Sequence, residues 1–177
     1  STRDTFMETF DRLYAHNNEI DLAKVDYEEL DRSLQPIQDR LAPLYVHPFH
    51  GLTTFLRRMG SNDFSLGIFG SGNAHMLVRN FGVSIPVLGY GDLYKDDSAG
   101  SRQKLDALMQ RTKAVFDIPN LAIVTADEVT NSKPNPEGIL LLLDQLQLTK
   151  DEVVLFGDHA VDMEAARRAG VQAIGIS

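Results

Sequence analysis

The sequence predicts an α/β fold, a parallel sheet with helices on both faces, preceded by a small all-helical unit. Three observations carry that expectation. Residues 1–60 show only helical periodicity, whereas from Phe64 short apolar runs of strand length alternate with amphipathic helical patterns. The apolar runs do not alternate with polar residues, as strands covered on both faces do not. Each of the first three runs stops at a turn containing Gly, Asp or Asn, beyond which a helix starts. The expected division is a helical unit over 1–60 and a Rossmann-like core over 61–177.

In the helical unit, Ser1 and Asp4 have the spacing of a capping box, and Phe6, Phe10, Leu13 and Tyr14 then share a face. A second helix follows Asp26, with Leu30, Leu34, Ile37 and Leu41 on one side and Pro36 placed to bend or split it. A third carries Leu52, Phe55, Leu56 and Met59. In the core, the first strand runs from Phe64 to Phe69, turns at Gly70-Ser71-Gly72-Asn73, and leads into a helix with Ala74, Leu77, Val78 and Phe81. The second, Leu121 to Val124, is followed by a helix with Ile139, Leu140, Leu143 and Leu146; the third, Val153 to Phe156, by a helix from Ala160 to Ala169 closed by Gly170. Ala173 to Ile176 reads as a fourth strand. Between Pro86 and Pro119 a polar loop precedes a helical pattern with Leu105, Leu108, Met109 and Val115, the mark of an extra helix packed on the sheet.

Composition narrows the function classes. The chain has 177 residues, 43% of them hydrophobic and 24% charged, and no apolar run approaches the ~20 residues that span a bilayer. A net charge of −8 with 17 scattered Lys and Arg opposes nucleic-acid binding. A small phosphate remains compatible, since local donors and a metal decide its binding. The lack of cysteine removes disulfides, zinc thiolates and thiol catalysis and fits a cytoplasmic protein. Ser1 to Phe10 show no secretory signal pattern.

In a parallel α/β sheet, ligands bind beyond the C-terminal ends of the strands. Three turns lie there. In Phe156-Gly157-Asp158-His159-Ala160-Val161-Asp162, Asp158 projects from a strand end and Asp162 returns to the same side as the helix begins. Two hard oxygen ligands so placed suit Mg²⁺; the alternative is that they favour the helix start alone. In Asn131-Ser132-Lys133-Pro134-Asn135-Pro136, Pro134 keeps Lys133 extended and Asn135-Pro136 starts a helix, so a lysine is held at the sheet's mouth to meet phosphate charge. In the Gly70-Ser71-Gly72-Asn73 turn, small residues open backbone N–H groups to an anion, with the Ser71 hydroxyl, Gly72 and the Asn73 amide as phosphate contacts.

The order of these turns resembles the second, third and fourth motifs of the haloacid dehalogenase superfamily, and the Lys-Pro-x-Pro loop with Gly-Asp-x-x-x-Asp is similar to its phosphoglycolate phosphatase and β-phosphoglucomutase branch. The resemblance implies that residues 1–60 form a helical cap, with Lys133 and Ser71 catalytic, Asp158 and Asp162 at a Mg²⁺ site, and a small phosphorylated metabolite as substrate. It implies a phosphatase that works through an aspartyl phosphate, with a sugar-phosphate mutase or a non-catalytic relative as alternatives. Two departures stand out. Gly70 occupies the strand-end position where the family has Ser or Thr, and the first motif, Asp-x-Asp-Gly-Thr, is nowhere in the 177 residues. The resemblance places that motif on a strand just before Ser1, so residues 1–177 alone are expected to be inactive.

Overall fold

The computed structural model describes residues 26–48, 50–88 and 100–176. The helix expected from Phe6 to Tyr14, with its Ser1 and Asp4 capping box, lies outside the described residues, as does the loop over 89–99.

Two compact units divide between His47 and Pro48. In the first, helix α1 (Tyr27–Tyr45) starts where Asp26 accepts a hydrogen bond from the Glu29 N–H at 3.0 Å. Pro36 and Pro43 both lie inside this helix, so Pro36 does not split it. The second unit begins with α2 (Leu52–Ser61). Helix α2 belongs to this second unit by its packing. Leu56 is buried in the core, with Leu52 and Met59 packed against the same cluster.

The rest of the second unit follows the expected alternation. Strand β1 (Leu66–Phe69) leads to α3 (Ala74–Ser84), and a short 3-10 turn at Pro86–Leu88 follows. Helix α4 (Ser101–Phe116) is the extra helix, and it buries Leu105 and Leu108 against α3 and β2 while Val115 stays exposed. Strand β2 (Leu121–Val124) is buried along its whole length. Next come α5 (Glu137–Leu146), β3 (Val154–Gly157), α6 (Ala160–Ala169) and β4 (Gln172–Gly175).

All pairing seen is parallel. β1 pairs with β2, Leu66 opposite Leu121 and Phe69 opposite Val124, and β3 pairs with β4, Val154 opposite Gln172 and Gly157 opposite Gly175. Among the described residues the sheet is thus two separate two-stranded pairs, with β1 and β3 not paired to each other; the strand bearing the absent first motif is expected between them. Helix α5 connects them, lying against β1 and β2 and touching α6, which covers β3 and β4. The core has two clusters accordingly. One gathers α2, α3, α4 and β2 around Leu56, Val78, Leu105, Leu108 and Ile123. The other gathers Ile139, Ala165, Ala166 and Val171, and Phe69 from β1 reaches across to pack on it.

Candidate functional site

The strand ends bring the lysine loop and the Gly-Asp turn together. Lys133 Nζ stands 2.7 Å from Asp162 Oδ1, and the two side chains are 13% and 10% exposed. The same nitrogen donates to the Phe69 carbonyl at the end of β1, at 3.5 Å, and lies 4.9 Å from the centre of the Phe69 ring. A lysine on one loop therefore joins the C-terminal ends of β1 and β3. Its loop is held from the first turn of α5: the Glu137 carboxylate accepts the N–H groups of Thr130 and Asn131, at 2.7 and 2.9 Å, and the Asn131 side-chain amide at 3.2 Å. Those backbone bonds keep the Glu137 carboxyl below the usual carboxylate range.

Asp162 has a second task. Its Oδ2 accepts the His159 N–H at 3.1 Å while its own N–H donates to the His159 carbonyl, which closes the start of α6. Asp158 points outward, 67% exposed, and its Oδ1 is 3.0 Å from His159 Nδ1. The imidazole hydrogen bond holds the Asp158 carboxyl low, and the same bond pushes the His159 pKa up. One ligand atom from each of Asp158, His159 and Asp162 can be chosen so that all lie within 4.8 Å of one another. The set fits a hard divalent ion through Asp158, whose carboxylate is open to solvent. Asp162 has both oxygens engaged, one by an ammonium, and retains only its remaining lone pairs for a cation.

The Gly70–Asn73 turn is shaped differently from expectation. Asn73 uses its side-chain oxygen to accept the Met76 N–H at 2.9 Å, capping α3. The first N–H of that helix, on Ala74, is taken by the chain's own Asp127 carboxylate at 2.8 Å. Ser71 is exposed, and the Gly72 carbonyl accepts the Ala126 N–H. A Cβ at Gly70 would lie 2.3 Å from Leu77 Cδ1, so a larger residue there would displace the end of that side chain. The structure thus brings Lys133 and Asp162 into contact, sets Asp158 beside them, and leaves Ser71, Gly72 and Asn73 on a turn that starts one residue past Phe69.

Several residues at these strand ends were not singled out in the sequence. Buried Thr125, at the end of β2, donates its N–H and hydroxyl to Glu128 Oε2, and Glu128 Oε1 meets Arg102 Nη1 at 2.7 Å. Thr125-x-x-Glu128 is a capping-box spacing, the signal by which it was findable. Asp127 carried no such signal, since only folding brings it to a helix 53 residues away.

The C-terminal ends of these parallel strands thus bring together a lysine and two aspartates. Residues 99–176 match the haloacid dehalogenase-like hydrolase family. Among curated relatives, pyrophosphatase PpaX of Listeria welshimeri is 33% identical over 89 residues, which cover 48% of this chain and 41% of that protein. A phosphorylated carbohydrates phosphatase of Thermotoga maritima is 36% identical over 78 residues, 44% of this chain and 34% of that protein. The chain therefore spans well under half the length of these relatives. A crystal structure described as a putative β-phosphoglucomutase from Thermotoga maritima superposes over 96% of this chain and 63% of its own, with a TM-score of 0.57 and 20% identity. That likeness is one of fold. Among the described residues, no helix is long and apolar enough to cross a membrane.

Proposed function

We propose that this chain is part of a Mg²⁺-dependent phosphatase that hydrolyses a small phosphomonoester through an aspartyl phosphate. The observation that carries the reading is Lys133, whose ammonium is held between the Phe69 carbonyl and Asp162 at the mouth of both strand pairs. An ammonium fixed there offsets charge on a phosphoryl group and costs no reorganisation when the group transfers. The names of the curated relatives, all acting on phosphorylated compounds, support the substrate class. Acidic composition and the absence of cysteine support a cytoplasmic setting without nucleic-acid or membrane partners.

In this reading, Asp158 would hold the metal, with Asp162 contributing as far as its bonds to Lys133 and His159 allow. Bound Mg²⁺ would supply charge neutralisation at the phosphoryl oxygens. The Ser71 hydroxyl and the backbone of Gly72 would receive the phosphate, with the Asn73 amide nitrogen beside them. The Ala74 N–H is not part of that cradle, since Asp127 already occupies it. The nucleophile is the aspartate of the Asp-x-Asp-Gly-Thr motif, which none of the 177 residues supplies. We assign that motif to a strand seated between β1 and β3. Its carboxylate attacks phosphorus, the second aspartate protonates the leaving alkoxide, and water then cleaves the acyl phosphate.

The test is phosphate release from a panel of phosphoglycolate, sugar phosphates and pyrophosphate, with and without chelator. Residues 1–177 alone are expected to release none, and the protein joined to an Asp-x-Asp-Gly-Thr strand to be active only with Mg²⁺. Turnover that survives EDTA or Asp158→Asn refutes the metal role. Turnover by residues 1–177 alone would place the nucleophile elsewhere.

A further inference from the structure

An ammonium has three donors and no direction of its own, so a lysine must be aimed by what surrounds it. Around Lys133 one neighbour makes two contacts. Phe69 offers its carbonyl oxygen at 3.5 Å and the face of its ring at 4.9 Å from the centroid. Phe69 is in turn placed by the absence of a side chain. A Cβ at Gly138 would stand 2.3 Å from Phe69 Cζ and within 2.7 Å of two further ring carbons, so the ring lies where any other residue on α5 would intrude. Gly138 is buried, and it follows directly on Glu137, whose carboxylate ties down the loop that carries Lys133. One helical turn therefore fixes both the lysine's loop and the ring over which its ammonium rests.

We propose that Phe69 is a positioning residue for Lys133, and that Gly138 exists to admit its ring. Asp162 supplies the opposite charge, which is attractive from any direction. The ring face and carbonyl of Phe69 supply the direction, and hold the ammonium at the end of β1 instead of letting it collapse onto Asp162 alone. The effect on turnover rests on the phosphatase reading, whereas the seat itself does not.

The test begins with the protein as it stands, carrying lysine labelled with ¹³C and ¹⁵N, where loss in Lys133→Arg identifies the Lys133 signals. The seat predicts an upfield ring-current shift of the Lys133 Hε protons and cross-relaxation between them and the Phe69 ring. Absence of both in the unsubstituted protein overturns the proposal, whatever the variants do. Phe69→Leu keeps an apolar residue but removes the ring, and should abolish the upfield shift; Phe69→Tyr should keep it; Gly138→Ala should displace it with ring and lysine both present. An unchanged Lys133 shift in Phe69→Leu, or the same loss in Phe69→Tyr, marks Phe69 as core packing only. In the active enzyme, with p-nitrophenyl phosphate as probe, Phe69→Leu should lower kcat about three- to tenfold, a range one cation–π contact accounts for, with KM nearly unchanged and recovery in Phe69→Tyr. If the ring signature is intact but no form releases phosphate, the seat stands and the phosphatase reading falls.

Discussion

Lys133 and Asp162 form an ion pair with little access to water, and such a pair is asymmetric: forming it gains little, but removing one partner strands the other charge. Lys133→Met should therefore destabilise the chain by about 3 kcal/mol, since it leaves the Asp162 carboxylate with only the His159 N–H. Adding Asp162→Asn should recover part of that loss, and denaturant unfolding of the two single variants and the double measures the coupling. The exposed neighbours behave differently. Hydrogen bonding to Asp158 raises the His159 pKa above 6.5, so the folded state holds this proton more tightly than the unfolded chain. What this bond contributes to stability is present below about pH 6.5 and is lost as pH rises through the raised value. Asp158 mirrors it: its pKa is lowered from 3.8, so its contribution is present above that pH and lost as pH falls through the lowered value. An NMR titration of the His159 ring should give a midpoint above 6.5 that returns toward it in Asp158→Ala; no movement would mean that the bond is absent in solution.

At the scale of elements, the turns depend on carboxylates more than on the loop residues that draw attention in the sequence. Glu137 gathers Thr130 and Asn131, Glu128 gathers Thr125 and Arg102, and Glu152 accepts the Thr149 N–H and hydroxyl ahead of β3. Glu137→Ala should raise amide exchange at Thr130 and Asn131 and leave β2 protected, which hydrogen exchange reads residue by residue. On α6, Glu164 takes Arg167 Nε and Arg168 Nε, both at 2.7 Å, and its pKa is lowered to about 2. That contribution is present above pH 4.5 and lost as pH falls toward 2, so Glu164→Gln should flatten the acid limb of a thermal-stability profile over that window. These pairings show what was legible. The apolar run Leu121 to Val124 coincides with β2 and Gly170 closes α6, because apolar runs and caps are local signals. Lys133 beside Asp162 was legible only as two turns at the same end of a sheet. That Asp127 reaches α3 and that α2 packs with the core both depend on side chains meeting across distant segments, which periodicity does not encode.

At the scale of the molecule, the unpaired edges of β1 and β3 matter most. In β1, the N–H groups of Leu66 and Gly70 donate to Asn120 and Val124, so by alternation those of Gly67 and Phe69 turn to the other edge. No described strand pairs with β1 on that side. On the other strand pair, Val154, Phe156, Ile174 and Ile176 remain exposed, an apolar stretch that a closed α/β layer would cover. A buried backbone N–H without a partner costs about 1–3 kcal/mol, so an edge strand left open must be hydrated, and hydrated amides exchange. In residues 1–177, hydrogen exchange should thus be slow at Ile68 and Gly70, which face β2, and fast at Gly67 and Phe69. If the proposed Asp-x-Asp-Gly-Thr strand seats between β1 and β3, joining it to the chain should slow exchange at Gly67 and Phe69 by the same step that brings phosphate release. The two readouts are independent: protection without turnover would place a strand in the gap but deny it the nucleophile. Turnover without protection would put the nucleophile somewhere other than beside Lys133.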